Sequence, residues 1–236
     1  MEKQHSVPFA TLPSTAFIIA AIAGFVDVIG FVGASKLFTA HITGNIVVAI
    51  SEIIHKQEGV AAKIISLPLF ILLAGITTWI VEMRGQSKAL LASWFIIEAL
   101  FLAAFMFAGI YILPFNALDS WQYITGGMFA VSAMAIHNTL LRTFMASFPP
   151  CTVMTGNLTQ LIVDFVSYYW RKTLPHNVEM PITSHAGIKR FGNVFLGFLL
   201  GGTCAAFGFS TFGFWIIGLS AIILFIMAVR TLTLSE

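Results

Sequence analysis

The chain has 236 residues, of which 58% are hydrophobic and 9% charged, against roughly a quarter charged in a soluble domain. That balance excludes an ordinary soluble fold and points to a polytopic helical membrane protein whose immediate surroundings are the lipid bilayer. A net charge of +2 with no basic tract gives no footprint for nucleic acid.

Residues 1–13 read as a short polar, cytoplasmic leader carrying Pro8 and Pro13. The first apolar run, Ser14 to Gly33, is interrupted by Asp27 and ends in no clear small-residue cleavage site, so it is expected to be a retained transmembrane helix. On it Ala20, Ala23, Gly24, Asp27, Gly30 and Ala34 recur at steps of three and four, which turns the acid toward protein. Next, Leu37 to Ile54 carries His41 and the triplet Thr43-Gly44-Asn45, and either crosses or dips in and returns. Two spans follow, Val60 to Val81 and Lys88 to Ile112, the second with Glu98 near its middle. A turn with Pro114, Asn116 and Asp119 leads to Trp121 and Tyr123, an interfacial anchor for a span to Leu141. Gly126, Ala130, Ala133 and His137 share a face of that span.

After Arg142 the sequence Phe148-Pro149-Pro150 cannot continue a helix, and a second triplet, Thr155-Gly156-Asn157, opens a helical run through Asp164 to about Tyr169. Residues 170–190 make the longest polar connection, and spans from about Phe191 to Phe209 and Phe212 to Arg230 close the chain. Gly197, Gly201 and Ala205 give the first of these a small-residue seam, compatible also with a homodimer.

The triplets betray a duplication. Phe38 to Glu52 lies over Pro150 to Asp164 without a gap, an acid stands seven residues after each Asn, and Asn138 falls where Asp27 falls if one residue of gap is allowed. The expected architecture is therefore an all-α two-repeat bundle of eight apolar segments: six firm spans plus two broken or re-entrant Thr-Gly-Asn segments. Residues 14–112 form one repeat, 113–120 the connecting turn, 121–230 the other repeat and 231–236 a tail. Lys and Arg divide eight to four if all eight segments cross and nine to three if only six do, both placing the termini in the cytoplasm. Eight crossings make the halves parallel and six make them inverted.

A Gly break at membrane depth frees backbone groups beside a Thr hydroxyl and an Asn amide, a recurrent way to hold a solute. Thr43, Gly44, Asn45, Thr155, Gly156, Asn157 and Asn138 are thus candidate ligands for an unidentified small molecule or ion near the midplane, where the two triplets are expected to meet. Asp27, His41, Glu98 and His137 are candidate coupling or proton-carrying groups, since ionisable residues inside a bilayer persist mostly where they touch substrate, proton or partner. Each has a plainer reading as a hydrogen-bonded residue between helices, Glu52 and Asp164 as caps or interfacial acids, and Arg142 as a snorkelling anchor. Cys151 and Cys204 show no disulfide or zinc spacing, and neither a metal nor another cofactor is indicated. The chain carries no GxSxG or HExxH, so it is not expected to be an enzyme; the main alternative to transport is an accessory or structural subunit.

The combination Gly24-Phe25-Val26-Asp27, Gly30-Phe31, His41-Ile42-Thr43-Gly44-Asn45, His137-Asn138, Arg142 and Thr152-Val153-Met154-Thr155-Gly156-Asn157 resembles the YoaK family of small bacterial multi-pass membrane proteins, over nearly the whole chain. The resemblance implies a six-span inner-membrane protein without an established activity. Members of that family usually carry Gln-Asn where this chain has His137-Asn138.

Overall fold

The computed structural model describes residues 13–171 and 185–233, so residues 1–12 of the leader, 172–184 of the polar connection and the last three residues of the tail lie outside it. Among the described residues eight α-helices follow in order: α1 (Pro13–Gly33), α2 (Ile42–Ile54), α3 (Val60–Arg84), α4 (Lys88–Tyr111), α5 (Trp121–Thr143), α6 (Met154–Arg171), α7 (His185–Phe212) and α8 (Ile217–Thr233). No strand occurs among the described residues. By length and composition α1, α3, α4, α5 and the α7–α8 unit are apolar enough to cross a membrane. The protein is a helical bundle of the membrane type, as its composition requires.

The direction of each helix follows from contacts at its ends. Where α1 stops, the Ser35 carbonyl accepts from Lys63 Nζ at 2.8 Å, so α3 begins at that upper end. Asp119, in the turn between α4 and α5, accepts from Gly59 N at 3.0 Å and thereby caps the same helix. Phe214, just before α8, packs its ring on Phe105 and Phe209, bringing the α7–α8 turn there too. At the lower end Pro13 O accepts from Asn193 Nδ2 at 2.7 Å, and Thr143 O accepts from Gln86 Nε2 at 3.0 Å. The six long helices therefore alternate in direction. Because α1 ends and α3 begins at the upper end, α2 leaves from that end and returns to it. By the same logic α6 stays at the lower end, and the two halves are inverted with respect to one another.

Helix pairing repeats the inversion. α1 packs on α7 and its counterpart α5 on α3; α2 lies on α3 and its counterpart α6 on α7; α4 and α8 pack on each other. The α1–α7 contact runs parallel and very close: Gly197 lies against Phe17 O and Gly201 against the Ala21 backbone, where a Cβ on either would collide. The predicted glycine seam is thus occupied within the chain, by the small face of α1 on which Ala20 and Ala23 are fully buried. One pair breaks the symmetry. α4 and α5 are tightly joined, whereas α8 and α1 barely touch and leave an apolar groove of about 460 Å³ lined by Phe17, Phe25, Cys204 and Ile223.

The short helices are inside out. In α2 the buried stripe is Ile42, Asn45, Ala49 and Glu52, while Val47, Ile50 and Ile54 are exposed. In α6 Asn157 and Asp164 are buried, and Ile162, Val166 and Trp170 are exposed. Polar groups inward and apolar groups outward is the pattern a hydrocarbon surrounding selects. At 13 residues, about 20 Å, α2 is also too short for a hydrocarbon core of about 30 Å. Exposed Tyr111, Trp121 and Trp215 ring the upper end and Trp79 and Trp170 the lower, as aromatic belts do.

Candidate functional site

Each half-helix is pinned by its Asn in the same way. Asn45 Nδ2 donates to Phe38 O and Asn157 Nδ2 to Pro150 O, both at 2.7 Å and both seven residues back, so each amide closes the loop that enters its helix. Asn45 Oδ1 also accepts from Phe38 N at 2.7 Å, a bond the second copy lacks because Pro150 has no N–H. The Gly residues do not break their helices. Gly44 and Gly156 sit within the first turns of α2 and α6, and Gly44 makes room for the Phe38 ring, which a Cβ would meet at 2.7 Å. The expected chain break lies upstream, and the free backbone N–H groups are those of two helix N-termini. Thr43 and Thr155 are exposed on the outer surface, as is Gly156. The two triplets enter from opposite ends and pack on different partners, α3 and α7, so the structure does not bring them together.

Asp27 is 4% exposed and accepts from Thr39 N at 2.8 Å and Ala40 N at 2.7 Å through Oδ1, while Oδ2 lies 2.7 Å from His41 Nδ1. One carboxylate thus staples the loop before α2 onto α1 six residues from its end, and His41, the residue preceding α2, covers it with its ring against Phe198. In the second copy, among the described residues, Asn138 Oδ1 accepts only from the Thr152 hydroxyl, at 2.6 Å. Glu52 pairs with Lys63 at 2.9 Å, both nearly fully buried, whereas Asp164 accepts from Gln160 at 2.8 Å.

Lys63, near the start of α3, carries no motif in the sequence that marks it as buried. Its ammonium also donates to Gly59 O at 3.0 Å. Lys63→Met is expected to destabilise the fold by about 3–5 kcal/mol, because Glu52 is left buried without its cation. Adding Glu52→Leu should recover most of that loss, since an apolar pair of similar volume replaces a desolvated ion pair. Thermal unfolding of both variants in detergent measures the difference; equal Tm values for the single and double variants would refute the pairing.

Glu98 and His137 meet in the bundle core. Glu98 Oε1 lies 2.6 Å from His137 Nδ1, both side chains are fully buried, and His137 Nε2 lies 3.0 Å from Ile19 O on α1. A carbonyl only accepts, so Nε2 carries its hydrogen. The Nδ1–Oε1 link then holds one proton, as imidazolium and carboxylate or as imidazole and carboxylic acid, and is neutral overall in either form. A second proton, or none, would leave a net charge in a dry interior. The other oxygen, Glu98 Oε2, is buried without a hydrogen-bond partner among the described residues, and the Cys151 thiol, from the loop before α6, lies against the same imidazole. With both side chains fully buried, the pair has no direct access to solvent in this arrangement. Both residues were legible as buried ionisable groups; their pairing across 39 positions was not.

Beside this pair a cleft of about 350 Å³ opens between α3 and α5, lined by Thr78, Asn138, Thr139, Arg142 and Thr152 with Phe70 behind them. Asn138 and Thr152 of the lining are the chain neighbours of His137 and Cys151.

Residues 15–230 match the family model described as a protein of unknown function, DUF1275. The chain belongs to the DUF1275 family. No curated protein and no solved structure matches it. Membership in DUF1275 agrees with the membrane-type bundle and supplies no substrate, so the functional reading rests on the geometry of Glu98, His137 and the cleft beside them.

Proposed function

We propose that this DUF1275 chain is a proton-coupled secondary transporter of a small solute, with the Glu98–His137 pair as the coupling group and the cleft between α3 and α5 as the solute's seat. The observation that carries the reading is the completely buried one-proton pair, 2.6 Å apart, at the crossing of α4 and α5 against α1. Intramembrane acids and imidazoles facing a bundle interior are the usual material of proton relays. The scaffold supports the same reading. Inverted repeats offer two arrangements of equal kind, and here α4–α5 is closed while the equivalent α8–α1 is open; exchanging the two would part the helices around the pair. Asp27 and His41 serve in this reading as the staple of the upper loop, and Asn45 and Asn157 as anchors of the half-helices. The residue pattern also favours the YoaK group within the family.

The orientation we infer has the lower end in the cytoplasm, as in a bacterial inner membrane, because six crossings put nine Lys and Arg on that side against three. The test is solute uptake into proteoliposomes against a panel of metabolites and ions, with and without an inward proton gradient. Accumulation that needs the gradient is expected. Solute movement indifferent to the gradient would refute coupling, and absence of any movement beside an active control transporter would refute transport.

A further inference from the structure

The two copies of the loop before the half-helix differ in one chemically telling respect. In the first, the carboxylate of Asp27 sits in a cradle made by two consecutive backbone N–H groups, Thr39 and Ala40, and accepts both. By the gapless register of the repeat, their equivalents are the N–H groups of Cys151 and Thr152. There the carboxylate is replaced by the neutral Asn138, which takes only the Thr152 hydroxyl. Among the described residues no acceptor takes the backbone N–H of Cys151 or Thr152. One turn beyond Asn138, on the same face, stands Arg142, the one charged residue lining the cleft, and no carboxylate among the described residues pairs with it. By register the second copy therefore has the equivalent pair of backbone N–H groups, lacks the built-in anion, and adds a cation to the lining of the cleft.

We infer that the solute itself supplies the counterpart anion: the cleft binds a small monocarboxylate, whose carboxyl group takes in the second repeat the part that the Asp27 side chain takes in the first. The inference rests on the reading of this cleft as the solute's seat and adds its chemical class. Arg142 supplies charge and a planar fork that suits a carboxylate, and the loop N–H groups supply direction. About 350 Å³ accommodates a short organic acid. No bond is made or broken on binding.

The test is equilibrium binding of radiolabelled propionate and lactate to the full-length protein in detergent, with propionamide and lactamide as neutral competitors. The acids are expected to bind and the amides to compete at least about tenfold more weakly, the scale of one lost charge-assisted hydrogen bond. Asn138→Asp reproduces the first copy's arrangement and is expected to abolish binding, because the side chain then fills the cradle itself. Arg142→Gln, at an exposed position, is expected to weaken it by about tenfold or more while leaving Tm unchanged. Amides that compete as well as the acids, undiminished binding in folded Asn138→Asp, or no binding of either acid would each overturn the inference. Should Asn138→Asp not fold, the acid–amide comparison and Arg142→Gln decide. The two readings fail separately: acids that bind but are not moved in liposomes remove transport and keep the seat, whereas gradient-driven uptake of only non-carboxylate solutes keeps transport and removes the seat.

Discussion

Asp27→Ala is expected to cost about 3–5 kcal/mol, a large fraction of a typical folding stability. The magnitude follows from what the side chain satisfies. With Asp27 gone, the N–H groups of Thr39 and Ala40 lose their acceptor inside the bundle and His41 loses its partner, leaving the loop held against α1 mainly by packing of Phe38 on Phe31 and of Thr39 on Gly30. Asp27→Asn should be much milder, about 1–2 kcal/mol, since an amide oxygen still accepts and the second repeat carries Asn138 at the same place natively. Thermal unfolding in detergent separates the two. If Asp27→Ala melted with the parent while abolishing uptake, Asp27 would be a coupling residue and the staple reading would be wrong.

Glu98→Gln is expected to do the reverse: preserve the fold and lower gradient-driven accumulation by about a hundredfold or more, the scale for deleting a positioned proton-transfer group. The amide has the shape of the acid, and its NH2 can donate to His137 Nδ1 while Nε2 still donates to Ile19 O, so no buried group loses a partner. What is lost is the exchangeable proton between the two side chains. Solute-for-solute exchange across the liposome, which needs no net proton movement, should survive in this variant. Full accumulation by Glu98→Gln would exclude the pair as the coupling group.

The sequence showed the duplication, the helices and the small faces well, because each is written in residue types at fixed spacing. Ala20, Ala23 and Gly24 on α1 and Gly197 and Gly201 on α7 were all visible as seams; that they face each other was not, since nothing local links positions so far apart. The triplets were read as places where backbone is freed to hold a solute. Their Asn side chains instead bind backbone carbonyls seven residues earlier, and a carbonyl carries no residue-type signature. The choice between crossing and returning segments was undecidable from hydropathy, and a handful of polar contacts decides it: Lys63 to Ser35, Asp119 to Gly59, Asn193 to Pro13. Glu98 lay among bulky residues with no small face to mark a partner, so His137 could only be listed beside it.

The crossed pairing of the two halves has a consequence for biosynthesis. α1 finds its principal neighbour in α7, which starts more than 150 residues after α1 stops. At a synthesis rate of about 5–20 residues per second, that partner follows α1 by roughly 8 to 30 seconds. During that interval α1 presents an unpaired glycine-and-alanine face to lipid. The same lag separates α3 from α5 far less, so the second half's first helix docks almost as it is made. The α3–α5 contacts can thus form early, whereas the close α1–α7 contact must wait for the C-terminal hairpin. A ribosome stalled anywhere before α7 would leave a chain whose first helix is inserted but homeless, an obvious substrate for membrane quality control.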